Sequence, residues 1–228
     1  TTPALVVVDS VHTFYDDRVS GVPGSVTQVR DATNALVAVA RRSGAAVVLV
    51  GHVTKDGGLA GPRVLEHAVD TVMHFEGDRD GALRLLRVVK HRFGATDRVG
   101  MFRMGRQGIE SLDDPSGLLL ADRRAGVPGS AVVAVLEGHR PVLVEVQALV
   151  SPRPAGTGGY GTRTVTGLVP RRIDLILAVL AQRAQLALSN ADVFVSVAGG
   201  LTVREPAADL AIAAAVVSAA TLRAIPGD

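Results

Sequence analysis

Two short runs of β-branched and apolar residues, separated by an amphipathic helical pattern, constrain the fold of this chain more than any other feature. The runs are Ala4 to Val8 and Val47 to Val50, and apolar residues recur at helical spacing from Val26 to Ala40 between them. A strand, a helix and a second strand in this order form a right-handed crossover with parallel strands. Because both runs are continuously apolar, the sequence predicts strands buried on both faces of a parallel sheet, and so an α/β fold.

Polar residues follow each predicted strand. Asp9 comes directly after the first strand, and His52 follows the second after Gly51. The carboxyl ends of parallel strands lie at one edge of the sheet, where ligands of open α/β sheets bind. A carboxylate at such a strand end holds Mg²⁺, usually through water, in nucleotide hydrolases. An Asp there also commonly caps the next segment, so these residues alone leave both interpretations open.

A polar and glycine-rich stretch continues from His52. It contains Lys55 and three glycines between residues 57 and 61, and Pro62 then begins a short predicted helix that ends at Val69. Glycines let a backbone approach a ligand closely. An ordinary strand-to-helix connection is an equally good interpretation of this stretch by itself.

Residues 79–106 carry a local excess of positive charge of six, with eight Arg and Lys residues against Asp80 and Asp97. The basic residues are Arg79, Arg84, Arg87, Lys90, Arg92, Arg98, Arg103 and Arg106. Such a cluster is most often a solvated face. However, Phe93 lies among these cations and beside Gly94, which favours contact with phosphate or a partner.

The remaining pattern predicts alternating strands and helices with a domain boundary near residue 122, where turn-forming residues 113–117 and 123–129 cluster. Before the boundary we expect strands at Thr71–Phe75 and Leu83–Val89, and an edge hairpin formed by Val99–Met104 and Gln107–Leu112. After it we expect strands Ser130–Glu137, Val142–Leu149 and Asp192–Ala198, helices Pro170–Leu188 and Glu205–Leu222, and an irregular glycine-rich loop over residues 151–167.

Composition narrows the functional classes. The 228 residues are 47% hydrophobic, enough for a substantial core, and contain no cysteine, which excludes disulfides and thiolate zinc sites in this stretch. The apolar segments are too short for a signal peptide or a membrane span, so we expect a cytoplasmic protein without membrane contact. A chain that begins at Thr1 and enters a strand almost at once is interpreted as a piece of a longer protein.

These stretches together resemble the bacterial RadA (Sms) family of DNA repair and recombination ATPases. The similar segments are residues 5–11, 24–30, 51–67, 70–78, 90–94, 199–201 and 205–211. The resemblance implies a RecA-like ATPase core at residues 1–122 that lacks its Walker A half. It also implies an incomplete, catalytically dead Lon-protease-like domain at residues 123–228.

The resemblance also implies roles for particular residues. Asp9 matches the carboxylate that supports Mg²⁺, and His52 matches a sensor between the nucleotide and a DNA-binding loop. Lys55 and Arg63 belong to that loop and would meet phosphates. Lys90 and Arg92 match the family's Lys-Asn-Arg-Phe-Gly motif, which is implicated in DNA binding and in completing the ATP site of a neighbouring subunit.

Several departures qualify these expectations. His91 replaces the motif's Asn, and nothing in the sequence matches GxxxxGK[ST], so we expect the chain alone not to hydrolyse ATP. The position of a Lon-type nucleophile is taken by Ala207, and no lysine occurs from Glu137 to the end, which makes a Ser-Lys peptidase the least favoured function.

For the intact protein, the resemblance implies ATP and Mg²⁺ as cofactors and ATP-driven translocation or branch migration on single-stranded or branched DNA. It further implies a homo-oligomer, such as a hexameric ring, and a RecA-type recombinase as a partner. The alternative is a ring-forming scaffold or DNA-binding module without catalysis.

Overall fold

The computed structural model describes residues 3–52, 64–77, 82–154 and 161–226, arranged in two compact units. One unit contains residues 1–74 and 88–96, and the other contains residues 75–87 and 97–228. The two units do not meet at residue 122, where the sequence predicts a boundary between a RecA-like and a Lon-like domain. That boundary is defined by resemblance to two domain families and not by packing, so it stays a prediction.

The first unit is built on the predicted strand, helix and strand. Strand β1 is Leu5–Asp9, helix α1 is Val26–Ser43 and strand β2 is Ala46–Val50. The two strands pair in parallel, as predicted. Helix α1 ends where predicted, because Gly44 adopts φ +72°, a left-handed conformation that suits a helix C-cap. A short helix, α2, follows at Val64–Ala68.

The prediction that β1 and β2 are buried on both faces is wrong for the described residues. Leu5 and Val7 are 55% and 60% exposed, and Val48 on β2 is also exposed. The small core of this unit instead lies around Val11, Val29 and Leu65, against α1. The apolar sequence would suit burial on both faces, but the sheet formed by the described residues has only two strands.

A second sheet contains four strands in the order β3-β4-β5-β6. They are β3 (Thr71–Glu76), β4 (Leu83–His91), β5 (Val99–Gly105) and β6 (Gly108–Ser111). The division between the units falls within β3 and within β4. The predicted hairpin of β5 and β6 is confirmed, with Gly105 opposite Gly108, but β5 is not an edge strand because it also pairs with β4.

The second unit holds the larger core, in which two helices pack on the sheet β7-β8-β10-β9. The strands are β7 (Ser130–Glu137), β8 (Arg140–Pro152), β9 (Arg163–Thr166) and β10 (Ala191–Val197). The helices are α4 (Pro170–Arg183) and α5 (Ala208–Thr221). Alternate β8 residues Val142, Val144 and Val146 point into the core, as period-two patterning requires.

Two elements of this unit were not predicted from the sequence. Strand β9 lies in the stretch predicted to be an irregular loop, where neighbouring glycines obscure a short β-branched run, and it pairs in parallel with β10. Helix α3, Pro115–Leu119, occupies part of the predicted turn at residues 113–117. Its Asp114 side chain accepts a hydrogen bond from the Gly117 amide at 2.9 Å, so Asp-Pro here begins a helix. Helix α4 also ends five residues before the predicted Leu188.

Among the helices in the described part of the chain, none combines the length and apolar character needed to cross a membrane.

Candidate functional site

The edge of the β1–β2 sheet brings together the two strand-end residues singled out from the sequence. Asp9 is the last residue of β1 and lies opposite Val50, the last residue of β2. His52 follows two residues later, and both Asp9 and His52 are exposed. The predicted juxtaposition at one sheet edge is therefore confirmed, whereas the chemical roles of these residues stay predictions.

A second histidine joins this edge and was missed in the sequence. His12 lies in a single 3₁₀ turn, Val11–Thr13, directly after β1. Its ring stacks on that of His52, with centroids 5.9 Å apart and planes inclined by 30°. The only available sequence signal was its position three residues after Asp9. The stack brings together the segments that follow the two strands.

The side chains at this edge fit a magnesium ion that is bound mainly by water and by substrate phosphates. Among residues 3–52, 64–77, 82–154 and 161–226 no group of three or more His, Asp or Glu side chains could hold a metal ion. Mg²⁺ retains several waters and is commonly bound by one or two carboxylates together with substrate phosphates. The exposed Asp9 carboxylate suits this arrangement as a single, water-mediated ligand.

Residues 14–24 form a loop, here termed the Gln28 loop. The side-chain amide of Gln28, which lies outside the loop, holds it by hydrogen bonds. Gln28, on α1, is 2% exposed. Its Oε1 accepts from the Asp16 amide at 2.9 Å, and its Nε2 donates to the carbonyls of Asp16 and Val19 at 2.8 and 2.6 Å. A longer contact of 3.4 Å joins Nε2 to the Gly21 carbonyl. A polar side chain buried in this way is satisfied only if the loop keeps its shape.

The Gln28 loop presents aromatic and charged groups that the sequence analysis did not select. Phe14 and Tyr15 are exposed, as is Arg18. The Arg18 guanidinium pairs with the Asp16 carboxylate at 2.6 Å. Hydrogen bonds from the Arg18 side chain and backbone lower the pKa of Asp16 from 3.8 to about 2.

Lys90, predicted to contact DNA phosphate or a neighbour's ATP site, is engaged within its own unit. Its ammonium donates to the Glu66 carbonyl at 2.5 Å and to the Val69 carbonyl at 2.8 Å. These carbonyls lie in and just beyond the last turn of α2, where helices leave acceptors without partners. A cation there also faces the negative end of the helix dipole. In this conformation Lys90 is a C-terminal cap of α2.

The residues after Lys90 are attached to the same segment. His91 Nδ1 lies 2.9 Å from Thr71 Oγ1, and the Arg92 amide donates to the Asp70 carbonyl at 2.9 Å. The Arg92 side chain forms a 3.3 Å ion pair with Asp70, and both partners are largely exposed. Such a pair contributes little to stability. Arg92 therefore keeps a cation at the surface, unlike Lys90.

The other two predicted DNA-binding residues, Lys55 and Arg63, lie outside the described residues.

The position of a Lon-type nucleophile is also defined. Ala207 is exposed and immediately precedes α5. Two residues further on, Asp209 forms a bidentate ion pair with Arg172 of α4. The hydrogen bonds that Arg172 donates to the Asp209 carboxylate raise the pKa of Arg172. The side chains around this helix start therefore serve to join α4 to α5.

Comparison with known proteins gives consistent matches along the chain. Proteins named DNA repair protein RadA are 49% identical in Halalkalibacterium halodurans over 216 residues and 49% identical in Brucella abortus over 226 residues. The protein of that name in Mycobacterium tuberculosis strain H37Rv is 51% identical over 217 residues. These alignments cover 95%, 99% and 95% of the chain. The chain is RadA-like.

This RadA-like chain spans about half the length of the curated relatives it matches: 47%, 48% and 45% of the three proteins above. No protein-family model matches it. A crystal structure of the RadB recombinase aligns with 48% of the chain and 52% of its own length, at 23% identity and a TM-score of 0.33. That score is too low to support an argument about fold. The RadA-like character therefore rests on sequence identity.

Proposed function

We propose that this RadA-like chain is part of an ATP-dependent DNA repair and recombination motor, in which a RecA-like core acts with a Lon-like domain. The observation that carries the proposal is the placement of Asp9 and His52 at the ends of adjacent parallel strands. This is the edge where α/β folds bind ligands. The identity of about half to relatives named DNA repair protein RadA supports the same conclusion.

In this proposal each side chain has a definite task. Asp9 would hold Mg²⁺ through water, and the ion would offset the negative charge of the ATP phosphates. His52, stacked on His12, would link the nucleotide edge to the glycine-rich stretch that follows it. Arg92 would meet a DNA phosphate or a phosphate in the ATP site of a neighbouring subunit, while Lys90 would hold α2 in place.

The intact protein would use ATP to translocate on single-stranded or branched DNA or to drive branch migration, as a hexameric ring and beside a RecA-type recombinase. A scaffold that binds DNA without catalysis is the second candidate, because Arg92 and the Gln28 loop present cations and aromatic rings independently of any nucleotide. A peptidase is disfavoured by the exposed alanine at position 207.

The test is salt-dependent binding of the chain to fluorescent single-stranded DNA. Each lost phosphate contact lowers the slope of log affinity against log salt by about 0.7. We expect this decrease for Arg92→Ala. The matched control is Arg103→Ala, which removes another exposed arginine that pairs with a carboxylate, here Glu110 at 2.7 Å.

If Arg92→Ala keeps the wild-type slope, its cation does not contact DNA phosphate. If the wild-type chain fails to bind single-stranded DNA at low salt, the proposed DNA contact of this chain is wrong.

A further inference from the structure

The side chain of Phe93 has no part in the proposed function described above. It is 76% exposed, although Phe is a residue that folding normally buries. We infer that Phe93 provides a stacking surface for an unpaired nucleobase, with Arg92 beside it to take the adjoining phosphate. The inference deepens the proposed function and rests on it.

The backbone on the N-terminal side of the ring is held by contacts with residues 66–71. Lys90 is tied to the end of α2, the His91 ring contacts Thr71, and the Arg92 amide bonds to the Asp70 carbonyl. A Cβ on Gly94 would lie 2.8 Å from His91 Cδ2, so the turn after the ring is tight as well. A ring presented on a fixed backbone loses little conformational entropy when a ligand stacks on it.

The groups around the ring match the chemistry of a nucleotide. The Arg92 guanidinium carbon lies 5.8 Å from the centre of the Phe93 ring, and the His91 ring meets it edge-on at 6.3 Å. The exposed ion pair of Arg92 with Asp70 is weak enough for a phosphate to compete with it. Aromatic rings beside cations are the usual means of holding single-stranded nucleic acid without reading its sequence.

A protein partner fits this surface less well. The side chains that contact the Phe93 ring are the Arg92 guanidinium and the His91 imidazole, so polar groups flank it, whereas protein contacts favour a contiguous apolar patch. A nucleobase needs only one ring face and a nearby cation. The base could come from single-stranded DNA or from a nucleotide, and the chemistry of stacking is the same in both.

The experiment compares oligonucleotides with and without bases. The wild-type chain, Phe93→Ala, Phe93→Leu and Phe93→Tyr are each titrated with fluorescent oligo-dT and with an abasic oligonucleotide of the same length and charge. We expect Phe93→Ala to lower affinity for oligo-dT about 5- to 150-fold, the usual range for one base–aromatic stack. The salt slope should not change, because no phosphate contact is lost.

The controls separate stacking from other effects. Phe93→Leu, which keeps apolar area without a π-face, should lose most of the affinity, whereas Phe93→Tyr should keep it. On the abasic oligonucleotide the four proteins should bind alike. Since Phe93 is exposed, circular dichroism should show equal thermal unfolding for all four.

The outcomes distinguish this inference from the proposed function. If Phe93→Ala binds oligo-dT as wild type does, or loses the same affinity on the abasic strand, stacking on DNA is refuted while the Arg92 salt slope still tests the proposed function. If wild type binds no DNA, the same variants are titrated with fluorescent ethenoadenosine triphosphate. Binding that requires the aromatic ring then supports stacking on a nucleotide, and its absence overturns the inference.

Discussion

Replacement of Lys90 tests whether its ammonium caps α2 or binds phosphate. Lys90→Met keeps the aliphatic stem but leaves the Glu66 and Val69 carbonyls without this donor. A hydrogen bond to a charged group contributes ~1.5–3 kcal/mol. Because Lys90 is only half-buried and water can replace it, we discount the two bonds to a total of about 1–2 kcal/mol.

Hydrogen exchange measures this loss where it occurs. If exchange follows local opening, a loss of ~1–2 kcal/mol raises its rate about 5- to 30-fold, at tenfold per 1.36 kcal/mol. We expect the increase in a peptide covering residues 64–77 and not in β7, which lies in the other unit. Mass spectrometry of wild type and Lys90→Met under identical conditions provides the comparison.

The matched variant is Lys90→Arg, which keeps the charge but replaces a compact ammonium with a planar guanidinium. Only Lys55 and Lys90 are lysines among the 24 Lys and Arg residues, so arginine is otherwise the common cation of this chain. A cap formed with two convergent carbonyls should be weakened by this change. A phosphate contact should be preserved or strengthened. Wild-type exchange in both variants, with a shallower DNA salt slope in Lys90→Met alone, would refute the cap.

Three further predictions concern other parts of the chain. Gln28→Leu should speed exchange of the Asp16 amide and destabilise the first unit by ~1–3 kcal/mol, because part-buried backbone groups lose their hydrogen bonds to the side chain. An unchanged exchange rate for that amide by NMR would count against this role. The Asp16 carboxylate should titrate near pH 2 by NMR, and Arg18→Ala should move this midpoint back towards 3.8. The stabilisation from the Asp16–Arg18 pair is full above the ordinary pKa of 3.8 and is lost as the pH falls through about 2. Ala207→Ser should not create protease activity, because no lysine occurs after Lys90 to activate the new hydroxyl. Release of fluorophore from a labelled protein substrate above the wild-type background would contradict this.

The elements that the sequence predicted well are those with a strong local period. Helix α1 and the parallel pair β1–β2 follow from apolar spacing and from the handedness of crossovers, and with them the shared edge of Asp9 and His52. The position of Lys90 could not be predicted in the same way. Its acceptors are backbone carbonyls more than twenty residues earlier in the chain, and every sequence has carbonyls at every position.

Burial was predicted less well than strand position. The apolar character of β1 indicates which surfaces suit a core, but exposure depends on what else covers the sheet, as Leu5 and Val7 illustrate. Glycines concealed strand β9, although the alternation of Thr164, Val165 and Thr166 was a usable signal. The roles of His12 and Gln28 depend on contacts between loops, which leave no periodic trace in the sequence.

Because Gln28 bonds only to the main chain of its loop, the backbone path of that loop does not depend on its exposed side chains. Every group that the amide contacts is a backbone N–H or carbonyl, belonging to Asp16, Val19 and Gly21. Exposed positions such as Phe14 and Tyr15 can therefore be exchanged for other side chains without altering the path of the main chain. A protein built in this way can evolve a new ligand preference on a constant frame, and a library randomised at those two positions should yield folded variants that differ in what they bind.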